Sequence, residues 1–252
     1  MMKYPKSDRY DAALVAENLM GPSSLKMIEE LTDGLDLRPG MKVLDLGCGK
    51  GLTSIFLARE FGVTVYATDL WIGATENFER FERLGLSDLI IPIHADALAL
   101  PFADHYFDAL VSVDAYYYFG MDDALMDEKI APLVKPEGLL AIAFPGFKKD
   151  IHGALPPEFL LSWKPEDLDC FQTCGWWENL LKKSQKIEID SITEMNCFDD
   201  AWRDLLESDI SYAINDRKAM NAGAGNYMNL IAILAHRKPE NGTQPEKIKC
   251  RQ

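Results

Sequence analysis

Residues 43–51 read Val43-Leu44-Asp45-Leu46-Gly47-Cys48-Gly49-Lys50-Gly51, a short apolar run ending in an acid and three alternating glycines. The chain passes at once into Leu52 to Phe61, whose apolar spacing is helical, so a buried strand must turn sharply into a helix here. Glycines at such a turn let a ligand approach the bare backbone. The helix start offers free N–H groups to a negative group such as a carboxylate. The chemistry that fits is capture of a nucleotide-like molecule. Leu52 stands where Gly-x-Gly-x-x-Gly would need its last glycine, which tells against a pyrophosphate-bearing dinucleotide.

Positioning this loop needs a sheet. From residue 42 onward apolar runs alternate with helical patterns, predicting strand 42–46, helix 50–61, strand 64–68, helix 74–84, strand 89–93, strand 107–113, helix 121–133 and strand 138–144. Strands separated by helices imply parallel pairing through right-handed crossovers, hence an α/β, Rossmann-like, doubly wound sheet covered on both faces. Upstream, Leu25, Ile28, Leu31 and Leu35 share one face of a helix that opens at Gly21-Pro22 and closes at Gly34 and Pro39-Gly40, giving a helical segment within residues 1–40.

Between residues 146 and 186 the rhythm breaks at Pro156-Pro157 and Lys164-Pro165, among Trp163, Phe171, Trp176 and Trp177. A helical cover inserted after the fifth strand is the expectation. The chain resumes with a strand at 186–192, a helix at 198–214 and a last strand at 227–235. Residues 1–240 then make a single domain. The chain is polar from residue 237, with 241–252 as a frayed tail. Tyr4, Tyr10 and Asp11 are expected to be disordered rather than closed over the site.

Composition narrows the partners. Acidic residues number 40 against 26 basic ones in 252 residues, a formal charge of −14 without any cluster of Lys and Arg, so nucleic acid and anionic membranes are poor partners. No apolar run is long enough to span a bilayer, and the charged start lacks a secretory signal. Five irregularly spaced cysteines fit a reducing compartment, so a cytoplasmic protein is expected. Cys170 and Cys174 are four apart, but no second ligand pair follows, so no metal is expected.

In open parallel sheets ligands bind beyond the carboxyl ends of the strands, so those ends belong together. Asp45 precedes the glycine loop and could orient it or reach a ligand's ammonium group. Asp69 closes the next strand, 18 residues after Gly51, where an acid bonds ribose hydroxyls. Leu70 and Trp71 follow as an apolar wall for a base. Asp96 with Ala97, and Asp114, end the next two strands.

With Asp45-x-Gly47-x-Gly49-x-Gly51 and these acids in order, the chain resembles the class I S-adenosylmethionine-dependent methyltransferases, in particular the type 11-like small-molecule enzymes. The resemblance is close over residues 40–145. It implies a seven-stranded, mostly parallel sheet with an antiparallel last strand, S-adenosylmethionine as cofactor and S-adenosylhomocysteine as product. It also implies a cofactor site made of Asp45, Gly47, Gly49, Gly51, Asp69, Leu70, Trp71, Asp96, Ala97 and Asp114. In the family, the aspartate matching Asp96 holds the adenine amino group, and the chain at Asp114 passes under the methionine part. Tyr116, Tyr117 and Tyr118 fall where the family forms its acceptor pocket, and Trp163 of the insertion joins them.

Methyl transfer from a sulfonium is an in-line displacement, so alignment and exclusion of water are the protein's main tasks. A protonated acceptor also needs a base, for which His152 and the Tyr118 hydroxyl are the candidates. The expected partner is a small-molecule methyl acceptor, with a homodimer as the expected assembly. The other reading is a non-catalytic module that binds the cofactor and signals to a partner. A filled acceptor pocket would favour it.

Overall fold

The apolar runs become strands because their side chains find helices on both faces, as a mostly parallel sheet requires. The computed structural model describes residues 3–240, so the tail expected at 241–252 lies outside the described residues. The strands are β1 (Lys42–Leu46), β2 (Thr64–Asp69), β3 (Ile90–His94), β4 (Phe107–Val113), β5 (Val134–Phe147), β6 (Ile187–Glu194) and β7 (Met228–Arg237). They form one sheet in the order β3-β2-β1-β4-β5-β7-β6. Strands β1 to β5 pair in parallel, and β7 runs antiparallel to β5 and β6.

Alternation along each strand assigns the two faces. Val43, Val65 and Val111 meet α2 (Ser24–Leu31) and α3 (Leu52–Phe61), whose Met27, Ile28, Ile55 and Phe56 are fully buried. Each such side chain contributes roughly 1.5–3 kcal/mol of burial. Leu44, Leu110, Ile142 and Phe144 point the other way, against residues 125–134 and the buried Trp177 of α5 (Cys174–Leu181). A third cluster, including Phe147, Phe159, Leu168, Trp202 and Leu205, fastens the cover to the carboxyl edge of the sheet.

Four expectations need correction. The helix expected at 121–133 is a wide π-helical turn at Met126–Ile130 followed by a 3-10 turn at Ala131–Leu133. Pro132 has no N–H to continue a helical ladder, and β5 starts directly after it at Val134, with a register shift against β4. The helix expected at 198–214 is two: α6 (Phe198–Glu207) ends at Ser208, whose backbone is extended, and α7 (Ser211–Asn221) folds back. Arg217 of α7 locks the corner by donating to the Leu206 carbonyl at 2.6 Å. The cover is built of 3-10 turns at His152–Ala154, Phe159–Leu161 and Pro165–Leu168, while α5 is an ordinary sheet-packing helix.

The N-terminal segment is the fourth. Its residues are held, not frayed: the Tyr4 hydroxyl donates to Asp200 at 2.8 Å, and Tyr10 stacks on Phe56 with centroids 6.0 Å apart. Asp11 caps α1 (Ala12–Asn18) by accepting from the Leu14 amide at 2.9 Å. This carries residues 18–24 over the glycine loop, where Met20 packs on Gly49. At the far end the last strand runs two residues past Ala235, and its final residue Arg237 is buried and donates to the Pro132 carbonyl at 3.1 Å.

Candidate active site

Strand order reverses between β1 and β4, and the site opens at that crevice, beyond the carboxyl ends of the strands. Gly47, Gly49 and Gly51 all take positive φ, at +77°, +53° and +81°, a conformation that makes the loop specific for glycine. The Gly47 amide donates to the Thr68 carbonyl at 2.8 Å, which ties the loop to β2. The Gly49 amide donates to Asp69 Oδ2 at 2.8 Å, and Asn77 of α4 (Ala74–Arg83) donates to the Gly49 carbonyl at 2.9 Å. Side chains at the first two glycines have no room: a Cβ on Gly47 would strike Ala115, and one on Gly49 would lie 2.8 Å from Met20 Sδ.

A cavity of about 780 Å³ runs from this loop to the aromatic cover. That is in the upper part of the roughly 300–1,000 Å³ range of small-molecule sites. Gly47, Gly49, Asp69, Leu70, Trp71 and Asp96 line one end, with Ala97 beside them. Asp69 is buried, and its Oδ1 accepts from the Trp71 and Ile72 amides at 2.7 and 2.8 Å, so one carboxylate organises two loops. Asp96 is exposed and accepts from the Leu98 amide at 2.8 Å. At the other end stand Asp114, Tyr117, Tyr118, Trp163, Trp202 and Asp216.

Four expected site residues do not reach the cavity lining. Asp45 is fully buried behind the loop, on the β1 face toward α3, where its Oδ2 accepts from Thr53 and Ser54, each at 2.6 Å. Burial pushes its carboxyl up to about 6, against those two hydrogen bonds and with a smaller push from Asp69. Asp45 therefore positions the loop. Gly51 starts α3, where a Cβ would lie 2.5 Å from the Phe81 ring. Tyr116 is core, against Phe144 and Trp177, because neighbouring residues of its turn point in different directions and Tyr117 takes the cavity side. His152 holds the cover: Nδ1 lies 2.8 Å from Asp150 Oδ1 and Nε2 lies 3.2 Å from the Leu168 carbonyl.

Tyr118 does line the cavity, half exposed and with its ring 5.7 Å from that of Trp71. Burial and then the charge of Asp114 push its hydroxyl well above the usual phenol range, so it is a hydrogen-bond donor and a poor base at neutral pH. Asp114 fits the base's part instead. Its backbone is left-handed (φ +59°), its Oδ1 is buried without a hydrogen-bond partner, and burial raises its carboxyl to about 7, opposed by the Tyr117 hydroxyl. The resemblance had put this residue on the cofactor. Tyr212, Asn215 and Asp216 also face the cavity, and no pattern in the sequence announces them, because the reversal from α6 to α7 places them.

Gly51 supplies a direct check. Gly51→Ala combines a strained left-handed alanine with a clash on Phe81, together costing about 2–3 kcal/mol. The expected result is a thermal midpoint roughly 5–10 °C lower by calorimetry. An unchanged midpoint would show that the α3 start has slack.

A doubly wound sheet with a glycine loop and an acid closing the next strand defines a Rossmann-like nucleoside-binding domain. Residues 43–138 match the family described as a methyltransferase domain. Over 119 residues, 47% of this chain and 42% of the other, the sequence is 37% identical to Methyltransferase GfsG of Streptomyces halstedii. The chain spans less than half the length of the curated relatives it matches. The fold is similar to that of Haemonchus contortus phosphoethanolamine N-methyltransferase 2, solved with S-adenosylmethionine, at a TM-score of 0.71, 21% identity, and 95% and 60% coverage of the two chains. It is similar also to geranyl diphosphate C-methyltransferase from Streptomyces coelicolor A3(2), solved with S-adenosylhomocysteine, at 0.65, 17%, and 84% and 78%. Residues 43–138 are thus similar to a methyltransferase domain, and the whole chain shares the fold of class I S-adenosylmethionine-dependent methyltransferases.

Proposed function

We propose that the protein transfers a methyl group from S-adenosylmethionine to a small-molecule acceptor and releases S-adenosylhomocysteine. The observation that carries this is the single cavity joining the glycine loop to the aromatic chamber, so that donor and acceptor can lie end to end. The residues present fit the cofactor: without side chains at Gly47 and Gly49 the left-handed loop presents bare backbone to the cavity, and Asp69 keeps a lone pair beyond its three backbone bonds. Gly47 and Gly49 would hold the amino-acid end, Asp69 the ribose, and Leu70, Trp71, Asp96 and Ala97 the adenine. When bound, S-adenosylmethionine supplies an activated methyl group on a sulfonium.

The chain's own part is alignment and dryness. Residues 18–24 close one side of the crevice and the 3-10 turns close another, while Tyr117, Tyr118 and Trp163 offer ring faces that suit a cationic centre. The acceptor chamber is open rather than filled, which supports catalysis over a binding-only module. Among the described residues no helix is long and apolar enough to cross a membrane, and Cys48, Cys170, Cys174 and Cys197 are free thiols, which supports work in a reducing, cytoplasmic setting.

The test is transfer of labelled methyl from S-adenosylmethionine across a metabolite panel, alongside calorimetry with S-adenosylhomocysteine. Binding with transfer to one or more acceptors is expected. Binding without any transfer would favour the module, and no binding would overturn the reading.

A further inference from the structure

The acceptor end of the cavity is acidic and aromatic, and among the described residues it has no cation of its own. Asp114, Asp167 and Asp216 line it with Tyr117, Tyr118 and Trp163. Among the described lining residues the one cation is Lys50, which sits at the glycine loop and donates to the Glu17 carbonyl at 3.0 Å. Arginine and histidine are absent from that lining. Two buried polar atoms at this end have no partner within the chain: Asp114 Oδ1, an acceptor, and the Nε1–H of Trp202, a donor on a side chain only 4% exposed. Buried polar groups are satisfied as a rule, so an unpaired acceptor and donor lining one chamber point to a ligand that supplies both.

We propose that the methyl acceptor is an amine that enters as its ammonium form and carries no anionic group, and that Asp114 takes its proton. The inference rests on the methyl-transfer reading and adds the acceptor's chemistry. Carboxylates and ring faces both attract an ammonium. A carboxylate or phosphate on the acceptor would face the same aspartates with no arginine to answer it, and desolvating such an anion unpaired is costly. The Trp202 N–H leaves room for a neutral oxygen on the substrate.

The chemistry balances. A proton passes from the ammonium to the Asp114 carboxylate, which frees the nitrogen lone pair. That pair forms the N–C bond as the C–S bond breaks, its electrons staying on sulfur, and the product is an alkylated ammonium. The proton on Asp114 leaves to solvent with product release. Titratable groups facing Asp114 are Tyr117 and Tyr118 from the turn after β4, Cys170 from the cover and Asp216 from α7, while the N-terminal segment presents only the backbone of Gly21. None of them is a cation that would hold the carboxyl low. A base raised to about 7 must lose its proton to act, so kcat/KM should rise with pH through that region.

The experiment pairs neutral-tailed amines with their anionic counterparts: phenethylamine against phenylalanine, and ethanolamine against phosphoethanolamine. Tryptophan fluorescence, reporting Trp163 and Trp202, measures binding to protein loaded with S-adenosylhomocysteine, and labelled transfer measures turnover. At least tenfold tighter binding of the neutral-tailed member is expected in one or both pairs. Asp114→Asn should weaken amine binding at least tenfold, lower kcat at least 100-fold and remove the pH limb near 7, while S-adenosylhomocysteine affinity, read by calorimetry, stays within threefold. Asp216→Asn should raise KM and leave kcat within threefold. Equal or tighter binding of the anionic member in both pairs would overturn the proposal. So would an Asp114→Asn enzyme that keeps its pH limb and amine affinity. If wild-type protein fails to bind S-adenosylhomocysteine, the methyl-transfer reading falls first; if it binds the cofactor product and no amine, only the amine proposal falls.

Discussion

Gly49→Val is expected to lower S-adenosylhomocysteine affinity at least 1,000-fold in calorimetry while the protein stays folded. Three facts meet at this residue. Its φ of +53° is one that a β-branched residue resists, at a cost on the order of 1–3 kcal/mol. Its Cβ direction already faces Met20, at 2.8 Å. Its amide and carbonyl are both engaged, by Asp69 and Asn77, so the backbone cannot rotate away to relieve the crowding. The valine methyls must therefore fill the cradle or push residues 18–24 off it. Either outcome removes the close backbone approach on which the amino-acid end of the cofactor depends. Gly49→Ala gives a graded case, expected roughly 10- to 100-fold weaker. Circular dichroism and a thermal midpoint within about 10 °C of wild type would establish that the fold survives. Binding by Gly49→Val within threefold of wild type would mean that no ligand approaches this loop.

The parts of the molecule set by local pattern are legible in the amino-acid sequence. Strands buried on two faces write themselves as apolar runs, and a strand meeting a helix through alternating glycines is a local event, so the β1 loop, Asp69, Trp71 and Asp96 fall where the sequence places them. What escaped depends on direction rather than position. Asp45 and Asp69 are both acids at strand ends, yet Asp45 points at Thr53 and Ser54 inside the sheet-helix interface, while Asp69 reaches the crevice. Tyr116 and Tyr117 are neighbours with opposite fates for the same reason. His152 has the right chemistry for a base, but its ring is consumed by Asp150 and a backbone carbonyl. Asp114 carries the site's most perturbed carboxyl because the N-terminal segment, the cover and α7 enclose it together, and three long-range contacts of that kind leave no trace in a local window.

Asp69→Ala should be the single change in the cavity most damaging to stability, and it should weaken binding as well. The carboxylate accepts from three backbone amides, those of Gly49, Trp71 and Ile72, at 2.8, 2.7 and 2.8 Å. Hydrogen bonds to a charged group are worth about 1.5–3 kcal/mol each, and they are not additive when the donors regain water. A net loss of about 3–5 kcal/mol follows, or roughly 10–15 °C in thermal midpoint for a domain of this size. Affinity for S-adenosylhomocysteine, measured at 10 °C so that the variant remains folded, should drop at least 100-fold, because the glycine loop loses its anchor and the ribose its acceptor. Asp69→Asn separates the two contributions. Its Oδ1 can still serve Trp71 and Ile72, but an amide group facing the Gly49 N–H sets donor against donor, so stability should recover by about half while binding stays weak. If Asp69→Asn instead binds like wild type, the residue acts on the loop alone and the sugar is held from elsewhere.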